Sequence, residues 1–182
     1  AQMMEMVWRL RAEKENEPGH TFTSFMPGGG SGNYGKGFDQ AFFEYGLKTN
    51  TAIRDLKLDQ VLDGGPGKDE IPALSDPRFT DSDRVDWLNA DSLGVLVQGA
   101  EESKFYPYDI LYWHEIVNDE IDGRNIAVTF CPLCGSAIVY NRVVGGDVLS
   151  FGVSGKLWQS NMLMYDKETE TLWSQIEGRG VA

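Results

Sequence analysis

From residue 125 onward the chain keeps to one form. Short β-prone runs ("NIAVTF", "SAIVYNRVV", "DVLSFGV", "NMLMYDK", "TLWSQIE") are separated by Gly, Asn and Asp turns. Runs of this kind, bounded by turn residues, read as strands. Val144-Gly145-Gly146-Asp147 is a good hairpin turn between two of them. The last third is therefore expected to be an antiparallel β-meander, with both cysteines at the end of its first strand.

Upstream the pattern is mixed. "SLGVLVQGA" reads as a strand and turn, and "DGGPGKDEIPALSDPRF" is turn-rich and rigidified by Pro66, Pro72 and Pro77. "FYPYDILYWHEIVNDEIDG" carries Ile110, Trp113 and Val117 at helical spacing behind Pro107, which predicts a helix. Met3, Met6, Val7 and Leu10 are spaced as a short amphipathic segment. A glycine-dominated loop, "MPGGGSGNYGKG", precedes the predicted helix "FDQAFFEYGLK". The expected fold class is α+β, predominantly β, with a meander core and a few short helices. Residues 1–57 form an N-terminal arm in this reading, and 58–182 a β-rich domain.

"TFCPLCGSAIVYN" holds the only two cysteines, Cys131 and Cys134. A thioredoxin-type dithiol sits where a strand enters a helix, whose N-terminus stabilises the thiolate. Here a second strand follows. Cys-Pro-x-Cys-Gly between strands is the form of a metal-binding knuckle, in which glycine accepts positive φ and backbone N–H groups point at the thiolates. Two thiolates make half a tetrahedral site, and no second cysteine pair completes it. His114, in the predicted helix just before the cysteine strand, is the candidate third ligand; His20 is another. Met162 and Met164, two apart on a predicted strand, share a face. Thiolate, imidazole and thioether form a soft set that suits copper, with zinc second. The plainer readings are a short disulfide or two buried thiols, a helix histidine bonded to a carbonyl, and a core methionine.

Other motifs carry less. "GSGNYGKG" resembles a phosphate loop, but Gly37 stands where a P-loop needs Ser or Thr, and no alternating β/α units follow. "TDSDRVD" lacks the glycine of a calcium loop, and "GVSGK" has the wrong spacing for a serine nucleophile. A formal net charge of −12 argues against nucleic-acid partners. No apolar run approaches the roughly 20 residues of a membrane span, and the first residues are too charged for a signal peptide.

"IPALSDPRF", "YPYDILYWHEIVND", "IAVTFCPLCGSAIVYNR", "LSFGVSGKLWQSNMLMYD" and "ETLWSQIEGRGV", in this order, resemble the domain-of-unknown-function family numbered 3179. The resemblance runs from about Leu58 to Ala182. It places His114, Cys131, Pro132, Cys134 and Gly135 in signature positions, together with Gly152, Ser154, Gly155, Ser160, Met164, Tyr165, Asp166, Trp173, Ser174 and Gln175. Met162 stands where the family carries leucine, so Met164 is the better thioether. The resemblance implies an extracytoplasmic location, periplasmic or secreted, and no established activity.

The leading expectation is an exported protein holding copper or zinc at Cys131, Cys134, His114 and Met164. One alternative is a structural subunit of an extracellular assembly or homo-oligomer, with contacts through residues 1–57. Another is a metal-dependent enzyme with an open coordination position, using Ser160, Asp166 and Gln175 around it. Thiol redox chemistry requires a cysteine thiolate held well below its ordinary pKa.

Overall fold

The computed structural model describes residues 46–182. The glycine loop, His20 and nearly all of the expected 38–48 helix lie outside the described residues. The elements are β1 (Val61–Asp63), β2 (Leu74–Ser75), β3 (Gly94–Gln98), β4 (Ser103–Pro107), α1 (Tyr108–His114), β5 (Ile116–Ile121) and β6 (Arg124–Cys131). They continue with β7 (Ser136–Asn141), β8 (Val143–Val144), β9 (Asp147–Val148), β10 (Phe151–Trp158), β11 (Asn161–Asp166), β12 (Leu172–Ser174) and β13 (Arg179–Gly180). The fold is predominantly β, as expected, with Gly145 and Gly146 at positive φ turning the β8–β9 hairpin.

The meander is split between two sheets. One is ordered β2-β5-β6-β7, the other β1-β10-β11-β12-β13, and only the β2–β5 pairing is parallel. Side chains alternate faces along a strand, and this period sorts the core into three layers. Val128 and Phe130 of β6 face one way, into a cluster with Val117, Ile121 and Leu111 of α1. Ala127 and Cys131 face the other way, onto Phe151, Val153, Met162 and Met164 of the second sheet. Leu163 and Tyr165 of β11 point outward again, to Leu47, Leu56, Val61 and Trp158. Both sheets are thus buried on both faces, which explains why "NMLMYD" reads as a nearly unbroken apolar run. The described part of the 1–57 segment joins the same core through Leu47 and Leu56.

A bidentate polar contact crosses the apolar layer between the sheets. The Asn118 side-chain amide on β5 donates to the Phe151 carbonyl and accepts from the Phe151 N–H, both at 2.8 Å. β10 carries a bulge between Val153 and Lys156. Gly155 sits in it at φ +71, and a Cβ there would stand 1.9 Å from the Pro66 carbonyl oxygen. Only glycine allows that approach.

The helix expected over 105–123 is shorter than its periodicity suggests. It stops at His114, and Glu115, at φ +55, turns the chain into β5. β-Branched Ile116 and Val117 then enter the sheet opposite Thr129 and Val128. Tertiary pairing overrides a spacing that also fits a helix.

Candidate functional site

The β6–β7 hairpin places the cysteines. Cys131 ends β6 and pairs across the hairpin with Ser136, the first residue of β7. Between them Pro132–Gly135 makes the turn, and Gly135 takes φ +63 with open space around its Cα. Its requirement is backbone conformation, not room. The strand-flanked knuckle read from the sequence is therefore present. Cys131 faces the inter-sheet core at 1 % exposure, while Cys134 stands exposed on the turn, both as free thiols.

Around Cys134 the side chains are polar and interlinked. Asn161 Nδ2, with two protons to give, has three acceptors in reach: Cys134 Sγ (3.2 Å), Ser136 Oγ (3.2 Å) and Gln175 Oε1 (2.7 Å). Ser136 Oγ lies 3.0 Å from Cys134 Sγ and 2.8 Å from Gln175 Oε1. Gln175 is itself fixed: its Nε2 donates to Thr129 Oγ1 and to the Ser136 carbonyl, and the Tyr140 hydroxyl donates to its own carbonyl. The Ser136 hydroxyl has one proton and two acceptors in reach. With Cys134 as a thiol it can serve Gln175; with Cys134 ionised it can turn to the sulfur.

The two thiols are unlike. At Cys134 partial burial raises the pKa, but hydrogen bonds from Ser136, Cys131 and Asn161 outweigh it and leave the thiol below its ordinary value. At Cys131 burial, reinforced by the neighbouring Cys134, pushes the thiol up to about 11. The backbone N–H of Met162 opposes that rise only in part. No helix N-terminus is involved; side-chain donors on β7 and β11 do the stabilising.

A small cavity of about 40 Å³ lies beside Cys131, bounded by Glu115, Lys156, Met162 and the Gly64–Pro66 turn among others. Glu115 is only 9 % exposed, and burial raises its carboxyl to about 7. Its carboxyl oxygens are not sealed unpaired atoms; among the described residues the buried side-chain polar atom without a partner is Trp158 Nε1. The Lys156 ammonium reaches Asp63 at 3.6 Å. Burial lowers its pKa, and Asp63 partly restores it.

The structure brings only some of the expected ligands together. Cys131, Met162 and Met164 share one apolar cluster, with both methionines in the core. His114 does not join them. Tyr108 and Tyr112 of α1 pack on Phe130, at 4.5 and 5.1 Å between ring centroids, so the helix covers the face of β6 opposite to Cys131. His114 Nδ1 lies 2.7 Å from the Pro72 carbonyl oxygen, and the residue lines a separate groove of about 950 Å³. This is the plainer reading of that histidine. Among the described residues no three His, Cys, Asp or Glu side chains stand together in a way that could hold a metal ion. Among the described residues, then, Cys131 and Cys134 have no third His, Cys, Asp or Glu beside them, and His20 lies outside those residues.

Gln175, expected near the site, lies in it, whereas Asp166 binds Thr169 and Trp173 Nε1 at the β11–β12 turn, and Ser160 occupies the β10–β11 turn at φ +61. Sequence reasoning missed Ser136, Asn161 and Glu115. The first two had a signal, a polar residue just past the second cysteine and another opening an apolar strand.

Among the described residues no helix is long and apolar enough to cross a membrane. No curated protein and no solved structure matches the chain. A family model described as a protein of unknown function, DUF3179, matches residues 68–182, and the chain belongs to that family.

Proposed function

We propose that this domain performs thiol–disulfide exchange, with Cys134 as the attacking thiolate and Cys131 as the resolving thiol. The asymmetry of the pair carries the reading: an exposed sulfur ringed by Asn161 and Ser136 donors lies beside a buried one. A thiolate near ambient pKa attacks a disulfide fastest, and a protonated partner keeps the pair from oxidising prematurely. Cys134 S⁻ attacks R–S–S–R′, forming Cys134–S–S–R and releasing R′S⁻. Cys131, once deprotonated, attacks Cys134 Sγ and releases RS⁻. The protein gives up two electrons and two protons, and the substrate disulfide becomes two thiols. An extracytoplasmic setting, implied by the family resemblance, would supply such substrates, because disulfides persist there.

Alkylation of Cys134 followed against pH, with mass spectrometry of the air-exposed protein, tests this. The expected result is a Cys134 ionisation below that of a free thiol, raised again in Asn161→Ala, together with an intramolecular Cys131–Cys134 disulfide in the wild type. A Cys134 that titrates like a free thiol and a pair that never oxidises would overturn it. Elemental analysis beside Cys131→Ser/Cys134→Ser covers the other outcome: copper or zinc held by the reduced wild type and lost from the variant would replace this reading with the metal centre expected from the sequence.

A further inference from the structure

The strand that leaves the cysteine turn is bonded along one side and open along the other. Among the described residues β7 is the last strand of its sheet and pairs only with β6. The Phe130 N–H donates to the Glu115 carbonyl, so the even-numbered residues of β6 exchange bonds with β5. The Arg142 N–H donates to the Asn125 carbonyl, so the odd-numbered ones exchange bonds with β7. Bonding alternates along an antiparallel pair, and the register sets Thr129 opposite Ile138. Ser136, Ile138 and Tyr140 therefore turn their backbone groups toward β6. Ala137, Val139 and Asn141 turn theirs away. Among the described residues no strand pairs with them on that side, and no backbone bond from a loop or turn reaches them.

Open strand edges invite another chain, and proteins ordinarily guard them with charge, proline, a bulge or shortness. The three other edges of the two larger sheets are short: β1 has three residues, β2 two and β13 two. β7 has six, Ser-Ala-Ile-Val-Tyr-Asn, with no charge and no proline. Its register with β6 runs unbroken through six pairs, without a bulge. This unguarded edge starts beside the exposed sulfur, since Ser136 Oγ, on the first residue of β7, lies 3.0 Å from Cys134 Sγ. Two apolar side chains flank that sulfur. Leu133, its neighbour in the turn, is 54 % exposed. Ile176 is equally exposed, and its N–H donates to the same Asn161 side chain that reaches Cys134. A single exposed leucine is ordinary; a pair beside a thiol, at the head of an open edge, suits an extended apolar segment.

We propose that β7 is the docking edge for the substrate: an extended, apolar stretch of a disulfide-bearing polypeptide adds to it as a further strand, with its cysteine at Cys134 and neighbouring side chains on Leu133 and Ile176. The proposal rests on the thiol-exchange reading above and gives it a substrate class, a locally extended polypeptide in preference to a small disulfide. Main-chain bonds supply the strength of such docking without demanding one sequence. A second copy of this chain is the poorer occupant, because each carries a formal net charge of −12 and the two repel. Once docked, the substrate's cysteine sulfur bonds to Cys134 Sγ, and its former partner leaves with the electron pair as a thiolate.

The full reduced chain is tested with two probes that carry nitrothiobenzoate as the leaving thiol. One is the acetylated, amidated peptide Thr-Val-Thr-Val-Cys-Val-Thr-Val-Thr; the other is acetylcysteine amide. Release of the coloured thiol is followed in stopped flow, each rate being divided by that of the same probe with glutathione. The peptide should react on the order of 10-fold faster than the amide. Equal rates overturn the docking edge. N-methylation of one alternate set of peptide amides should abolish the advantage and of the other set leave it, because only one set faces β7. Equal effects of the two sets overturn the proposal. Val139→Pro removes an outward N–H and keeps an apolar side chain, a change that edge positions accept; it should bring the two probe rates together. Should that variant not fold, the methylated peptides decide. A serine analogue of the peptide separates docking from chemistry: in excess, it should slow amide exchange at Ala137, Val139 and Asn141, read by NMR. Slowed exchange with no thiol released from either probe overturns the exchange reading and leaves β7 a peptide-binding edge. Protection of those amides without peptide, in protein that sediments as a dimer, assigns the edge to a second copy and overturns the proposal.

Discussion

Two buried carboxylates border one strand and live in opposite circumstances. Asp119, within β5, is 4 % exposed and surrounded by donors: the Tyr106 hydroxyl at 2.8 Å, the Lys104 ammonium at 3.2 Å and the Glu120 N–H at 2.7 Å. Glu115, just before β5, is 9 % exposed and lines the small cavity beside Cys131. Lys104 is held in turn by the Glu120 carbonyl and by the face of Phe79. The Asp119 network thus resembles a structural polar core, with each member satisfied by the next. A few residues away the Glu115 carboxyl is raised to about 7 by burial, with no network of this kind to offset it. The contrast teaches that burial and pairing are separate variables, and that each shifts an acid in its own direction.

The comparison can be broken at either end. Asp119→Ala should be the most damaging change, because it leaves the buried Tyr106 hydroxyl without its acceptor and takes from Lys104 its most buried partner; a loss of about 3 kcal/mol is expected in urea unfolding at pH 7. A loss below about 1 kcal/mol would make the network decorative. Glu115→Gln should act in the reverse direction and only above acid pH. Its carboxyl rises from an ordinary 4.5 to about 7 on folding, so the folded state holds the proton more tightly than the unfolded chain. Wild-type stability is therefore full below about 4.5, declines as pH rises toward 7, and stays lower beyond. The variant escapes that decline and should exceed wild type by on the order of 3 kcal/mol at pH 8, with no gain at pH 4. Equal stabilities at pH 8 would mean that Glu115 is solvated after all. Tyr106→Phe is the mildest cut. It removes one donor while Lys104 remains, and about 1.5 kcal/mol should be lost; no loss would show that water replaces the hydroxyl.

Much of this arrangement was legible before any coordinates. The turn-bounded β runs predicted the strands, and Cys-Pro-Leu-Cys-Gly predicted a knuckle between two of them. What misled was the neighbourhood of His114. Closeness in sequence suggested closeness to the cysteines, yet Phe130 and Cys131 are consecutive on a strand and so face opposite sides. Once α1 packs on Phe130, its histidine is on the wrong side of the sheet for Cys131. Ser136, Asn161 and Gln175 were hard to assemble for a different reason. Three separate turns bring them together, and no local pattern records which turns meet. Glu115 was least visible of all, because the cavity it lines is built by Pro66, Ile71, Lys156 and Met162 from distant parts of the chain.

Asn118 has a mechanical meaning beyond its two hydrogen bonds. Apolar layers attract without direction and would let the two sheets slide against each other. An amide gripping both the N–H and the carbonyl of Phe151 removes that freedom at one point and gives the sandwich a datum. The bonds of Asn161 and Gln175 to Ser136 and Thr129 hold the same two sheets at the Cys134 end. The register of one sheet on the other is therefore pinned at two separated places, and the apolar layer between them cannot slip.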